Sequence, residues 1–212
     1  MKIKKGLFIV NEGVDTSGKS STSALVAKEL LCLGIASEII HPLKGDSLFI
    51  EETKRTRKIL SEKTETFNCN YVFEDFFSNY YSMTLLNNIY HRVVPLLESG
   101  VTVLCDRYYY SHQVNQSVFG GDILTISQLF GMLPQPDMVF FFDISQEIAL
   151  ERILDREVKG AGDNKEFLSQ AINKFRELNN LHSFIRIDGT HEQFKNVKYI
   201  VNEITKRMEM EI

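Results

Sequence analysis

Short runs of consecutive apolar residues alternate along this chain with longer segments in which apolar positions recur every three or four residues. Gly6–Val10, Val101–Cys105 and Met138–Phe142 are of the first kind, each followed by polar or turn residues. Such short runs read as buried strands. Ser37–His41, stopped by Pro42, and Phe184–Ile187 read the same way. The helical pattern covers Lys19–Leu33, closed by Gly34, and most of Ser47–Leu97 with a break near Glu62–Asn70. It returns at Ile123–Met132, Gln146–Glu157, Glu166–Asn180 and Glu192–Met208. In the first helix Ala24, Ala27 and Leu31 share a stripe, with Val26, Leu30 and Leu33 beside it; in the last the expected core stripe is Phe194, Val197, Val201, Ile204 and Met208. Strand, helix, strand in this order is a βαβ arrangement, so the fold class is α/β with a parallel sheet. There are no repeats, low-complexity tracts or dividing linkers, so residues 1–212 are expected to form one domain.

The chemistry-bearing residues cluster where the strands end. Gly13-Val14-Asp15-Thr16-Ser17-Gly18-Lys19-Ser20 follows the first strand and opens the first helix. Gly, four residues, then Gly-Lys-Ser is the spacing of a phosphate-binding loop. The glycines let successive N–H groups turn inward on an anion, and the helix adds the positive end of its dipole. Lys19 brings a full charge to the outer phosphates, and Ser20 offers a hydroxyl to Mg²⁺. The third apolar run leads directly into Asp106-Arg107-Tyr108. An acid and a guanidinium at the carboxyl end of a parallel strand are placed for metal and phosphate. Arg152 and Arg156 lie one helical turn apart, either as a solvated face or as cations that close over phosphates. Lys159-Gly160-Ala161-Gly162-Asp163-Asn164 then has the composition of a short lid, approximately 156–166.

Composition narrows the partners. The 212 residues carry a net charge of −4, which argues against a protein built to grip nucleic acid and leaves mononucleotides open. Cys32, Cys69 and Cys105 are odd in number and widely spaced, as expected for reduced thiols. No apolar run approaches membrane-spanning length, and the basic start Met1–Lys5 is followed by an apolar run soon broken by Asn11 and Glu12, so a cytoplasmic protein without a signal peptide is expected. The aromatic-rich Tyr71–Tyr81 reads as core or subunit contact ahead of base stacking.

Taken together, these motifs resemble the thymidylate kinase family of nucleoside monophosphate kinases over nearly the whole length. Glu12-Gly13-Val14-Asp15-Thr16-Ser17-Gly18-Lys19-Ser20-Ser21 is similar to the family's loop, with an acid at Asp15 that many phosphate loops lack. Asp106-Arg107-Tyr108-Tyr109-Tyr110-Ser111 resembles its most specific motif. Pro136-Asp137 with the strand to Asp143, Ala149-Leu150-Glu151-Arg152 with Arg156, and Ile187-Asp188-Gly189-Thr190 match further segments. The resemblance implies a P-loop NTPase fold, a five-stranded parallel sheet flanked by helices, with a short lid, usually as a homodimer. It implies phosphorylation of a deoxynucleoside monophosphate, dTMP to dTDP, in nucleotide biosynthesis, with ATP and Mg²⁺. ATP phosphates would lie on Gly13–Ser21, with Arg152 and Arg156 on the ATP side and Ser20 and Asp106 at the metal. Asp15, Lys19 and Arg107 would carry the catalysis. Asp15, Lys44, Tyr81, Arg107, Tyr108, Ser111, His112, Asn115 and Gln116 would face the acceptor.

The departures concern the acceptor and the lid. By spacing from Pro95 and Asp106, Leu85 stands where the family has a base-reading Arg. His112 stands where the family has an Asn or similar polar residue, Asn115 replaces a Tyr, and Lys44 replaces an Arg. Lys159 and Lys165 stand in the lid region without an evident Arg. A nucleoside kinase with a hydroxyl acceptor, or a catalytically weak nucleotide-binding regulatory protein, are the alternatives these departures keep open.

Overall fold

The computed structural model describes residues 5–43, 55, 59, 70–121, 123–154 and 164–210, the side chains of 70–77 and 125 excepted. The apolar runs assemble into a five-stranded parallel sheet of order β2-β3-β1-β4-β5. Its strands are β1 (Phe8–Glu12), β2 (Ser37–Ile40), β3 (Thr102–Asp106), β4 (Met138–Asp143) and β5 (Ile185–Asp188). Among the described residues the helices with defined bounds are α1 (Lys19–Cys32), α2 (Asn70–Asn88), α3 (Val94–Glu98), α4 (Tyr109–Phe119), α5 (Ile123–Phe130), α6 (Gln146–Leu154), α7 (Lys165–His182) and α8 (Gln193–Met210). A π-helical turn at Ile89–Val93 joins α2 to α3, with Pro95 in the first turn of α3, where a missing N–H costs no helical hydrogen bond.

Side-chain alternation along the strands divides the core. Leu7, Ile9, Leu104, Phe140 and Phe142 face α1 and α8, meeting Val26, Leu30, Val197, Ile200 and Ile204. Phe8, Val10, Val103, Cys105, Val139 and Phe141 face the other way, toward Leu85 and Ile89, Val114 and Phe175. Both faces of the sheet are buried, which is why its strands are continuous apolar runs rather than alternating ones.

The two helix stripes differ from expectation. In α1, Leu31 is 71% exposed and Leu33 beyond its end is 58% exposed. The buried face is Lys19, Thr22, Ser23, Val26 and Leu30. Its first turn is polar because it meets strand-end polar groups: Asn11 donates to Ser23 Oγ at 2.8 Å. In α8, Phe194 is 56% exposed, with Lys198 Nζ 4.6 Å from its ring centre. Ile200 takes the expected place of Phe194 in the core, while Val201 and Met208 are only partly buried. Boundaries shift by a residue or two, as helix ends do. The break near 62–70 and most of the lid lie outside the described residues, as do Lys44, Arg156, Lys159 and Cys69. Cys32 and Cys105 are free thiols. Among the described residues, no helix is long and apolar enough to cross a membrane.

Candidate active site

Because all strands run parallel, β1, β3, β4 and β5 deliver Gly13, Asp106, Asp143 and Gly189 to one edge of the sheet. The phosphate-loop segment lies there. Gly13 has φ +139, and a Cβ on it would meet the Phe142 carbonyl oxygen at 2.5 Å, so only glycine fits between the loop and β4. Gly18, at φ 96, opens α1 without a side-chain cap. The first N–H groups of that helix are thus uncovered by side chains and suited to an anion. Lys19 is buried and spans the loop, donating to the Val14 carbonyl at 2.7 Å and to Ser17 Oγ at 3.1 Å. Burial, then the Arg107 charge, push its ammonium down to about 7, against the opposing pull of Asp106, Asp15 and Glu12. An arriving phosphate would reverse that shift.

Asp106 and Ser20 come together: Ser20 Oγ donates to Asp106 Oδ2. Burial raises the Asp106 carboxyl, but His41, Lys19, Ser20 and Arg107 outweigh it and hold it well below the usual carboxylate range. A hydroxyl and an ionised carboxylate are hard oxygen donors, so this pair fits Mg²⁺. Asp15 and Arg107 also come together. Arg107 Nη2 donates to Asp15 Oδ1, and Nη1 reaches the Gly13 carbonyl at 2.8 Å and Ser111 Oγ at 3.1 Å. Arg107 sits at φ 71, in the left-handed region. Its N–H donates to the Asn11 carbonyl at 3.0 Å, so β1 helps hold that unusual backbone.

Glu12, which the sequence reading gave no role, anchors this junction. Its Oε1 accepts from Tyr108 N at 2.8 Å and Ser111 N at 3.2 Å, and Oε2 accepts from Ser111 Oγ. Tyr108 is the N-cap residue of α4 and provides no side-chain cap; Glu12 reaches across from β1 to cap the helix in its place. Burial pushes the Glu12 carboxyl from 4.5 up to about 7, against the lowering effect of Ser111, Arg107 and Tyr108. A raised folded-state value stabilises the fold fully below pH 4.5, and that contribution is lost as pH rises through about 7. Glu12→Gln is expected to flatten this decline in urea-unfolding stability between those two pH values.

A cavity of about 340 Å³ is lined by the loop residues Asp15, Thr16 and Gly18–Ser21 together with Asp106, Arg107 and Arg152. A second, of about 300 Å³, lies on the other side of the loop against Gly189, His191, Gln193 and Asn196. The sequence reading gave these last residues no role, although Asp188-Gly189-Thr190 at a parallel strand's carboxyl end was the available signal. Arg152 joins the cavities, donating to the Thr16 carbonyl and the Gly189 carbonyl, each at 2.9 Å. Arg152→Ala is expected to raise KM for ATP about tenfold, the worth of one charge-assisted hydrogen bond of ~1.4 kcal/mol, in steady-state titrations at saturating acceptor.

The acceptor-side residues divide. Ser111 belongs to the Arg107 network. Tyr108 does not face a cavity: its side chain is wholly buried, packs edge-on against Phe8, and donates to the Pro134 carbonyl at 2.8 Å. His112 is also buried, with Nε2 3.0 Å from both Ser82 Oγ and the Ser78 carbonyl oxygen. Burial pushes its imidazole down to about 4, despite the Ser78 carbonyl, so it is neutral at physiological pH. Tyr81 is half-buried with its ring 6.3 Å from His112. Asn115 is half-buried, Gln116 is buried, and Leu85 lies wholly in the core. Lys165 is exposed at the start of α7.

Comparison with known proteins agrees with this geometry. The family model described as thymidylate kinase matches residues 11–200. A probable thymidylate kinase of Methanocaldococcus jannaschii is 32% identical over 93% of this chain and 93% of its own. A thymidylate kinase of Leptospira borgpetersenii is 35% identical over 89% of this chain and 88% of its own. One of Leptospira interrogans is 34% identical over 96% and 94%. A phosphate loop, a strand-end Asp-Arg pair joined to it, and a match of this extent together establish that the chain belongs to the thymidylate kinase family of nucleoside monophosphate kinases.

Proposed function

We propose that this protein transfers the γ-phosphoryl group of ATP to dTMP, giving dTDP and ADP, in the cytoplasm. The observation that carries the reading is the direct linkage of Arg107 to Asp15 and to the Gly13 carbonyl, which couples an acceptor-side cation to the donor-side loop. ATP phosphates would meet the N–H groups at the start of α1 and the Lys19 ammonium. Ser20 and Asp106 would hold Mg²⁺, which neutralises charge on the phosphates when bound. Arg107 would clamp the acceptor phosphate with two guanidinium N–H groups, while Asp15 fixes the plane of that guanidinium. Phosphoryl transfer depends mainly on such positioning and charge neutralisation, so no covalent enzyme intermediate is required. The cavity beside Gly189 would take the rest of the donor nucleotide. We also infer a homodimer; the exposed apolar side chains of Met83 and Tyr90, on and just after α2, support one.

The acceptor panel tests the reading. With MgATP, kcat/KM is expected to be highest for dTMP among deoxynucleoside monophosphates and nucleosides. Turnover best with another monophosphate keeps the reaction and reassigns the base, consistent with a core Leu85 in place of a donor. Turnover only with nucleosides overturns the proposal.

A further inference from the structure

We propose that Glu12 is a positioning residue for acceptor binding: through the Ser111 hydroxyl it fixes the Arg107 guanidinium that takes the acceptor phosphate. The inference rests on Arg107 being the partner of that phosphate. Three consecutive residues at the end of β1 converge on Arg107. The Asn11 carbonyl accepts from its backbone N–H at 3.0 Å, and the Gly13 carbonyl accepts from Nη1 at 2.8 Å. Glu12, between them, reaches Arg107 through Ser111, whose Oγ donates to Glu12 Oε2 and accepts from Arg107 Nη1 at 3.1 Å. Glu12 and Ser111 are both buried, so bulk water does not compete for either bond.

Donor and acceptor chemistry sets the direction of each bond. A serine hydroxyl has one hydrogen and two lone pairs, an ionised carboxylate only accepts, and a guanidinium only donates. Glu12 Oε2 therefore claims the hydroxyl hydrogen and leaves the lone pairs of Ser111 to Arg107. The guanidinium then has acceptors at both outer nitrogens: Gly13 and Ser111 at Nη1, Asp15 at Nη2. The two oxygens of Glu12 have separate partners. Oε1 accepts from the backbone N–H groups of Tyr108 and Ser111, while Oε2 accepts from the Ser111 hydroxyl. Glu12→Gln separates these roles. The two backbone donors hold the amide oxygen at the Oε1 position, so α4 keeps its cap. The amide NH₂ then stands at the Oε2 position, where it competes with Arg107 for the Ser111 lone pairs, and the hydroxyl hydrogen loses its acceptor.

The test is calorimetric binding of dTMP, and separately of MgATP, to the full-length protein. It is run at about pH 8.5, above the value of about 7 to which burial pushes Glu12, so that the carboxylate is ionised. Glu12→Gln is expected to weaken dTMP binding about tenfold, the worth of a hydrogen bond to a charged group, and MgATP binding less than about twofold. Ser111→Ala is expected to weaken dTMP binding by a similar factor. Adding Glu12→Gln to Ser111→Ala then costs less than about twofold more, because the hydroxyl that carries the effect is gone. Unchanged or tighter dTMP binding in Glu12→Gln overturns the proposal, since Glu12 then only caps α4 or offsets the Arg107 charge. An undiminished loss from Glu12→Gln in the Ser111→Ala background overturns it too, as does an equal loss for dTMP and MgATP. If Glu12→Gln folds poorly, Ser111→Ala decides: unchanged dTMP binding there refutes the relay. A wild type that binds no dTMP overturns the acceptor reading and this inference with it, and is told apart because no variant enters that result.

Discussion

Lys19→Ala is expected to lower kcat by at least about 10³-fold, with a smaller effect on ATP binding. Removing one preorganised hydrogen-bond donor from charge developing in a transition state costs about 10²–10³ in rate. Lys19 supplies a full charge as well as donors, from a buried position where electrostatic interactions are stronger than in bulk water. Its ammonium is held in advance by the Val14 carbonyl and Ser17 Oγ, so little reorganisation remains when phosphates arrive. The same burial that pushes Lys19 down to about 7 makes ATP binding take up a proton near pH 8. Calorimetry in buffers of different ionisation enthalpy checks this, and the uptake vanishes in Lys19→Ala. Rapid-quench measurement of the chemical step separates the kcat loss from binding.

Arg107→Ala is expected to raise KM for the acceptor and lower kcat, together reducing kcat/KM for the acceptor by about 10³-fold, while KM for ATP changes little. Two of its guanidinium nitrogens are already engaged, with Gly13, Ser111 and Asp15. The group is therefore fixed in plane before it meets a phosphate, and a bidentate phosphate contact depends on that plane. Arg107→Lys is expected to recover less than a tenth of the loss, because an ammonium cannot keep Asp15 and the Gly13 carbonyl while presenting a fork. Initial rates over a grid of both substrates distinguish this outcome from a general loss of folding, which would affect both KM values.

Much of the architecture was legible in the chain because the strands are buried on both faces, and uninterrupted apolar runs such as Met138–Phe142 have few other readings. The loop was legible because its spacing is dictated by the anion it suits, and the Asp106-Arg107 pair because it stands at the carboxyl end of an apolar run. Helix faces were less so. Leu31 and Phe194 fit a helical stripe as well as Leu30 and Ile200 do, and only the direction from which the sheet approaches decides between them. Tyr108 lies inside a motif shared with functional residues, yet its ring packs on Phe8. A strand-to-helix junction alternates side chains between cavity and core, so adjacency to Arg107 says little about where Tyr108 points. Glu12 and His41 were hidden for another reason. Each acts on a residue distant in sequence, across strands whose register no local pattern states.

The central claim is transfer of phosphate from ATP to a nucleoside monophosphate. Its most direct test is to incubate the purified protein with γ-labelled ATP, Mg²⁺ and dTMP, and to resolve the products by chromatography. The account predicts label in dTDP, formed in equal amount with ADP, and none of it with Lys19→Ala. Label appearing only in inorganic phosphate, with none in dTDP, would contradict it.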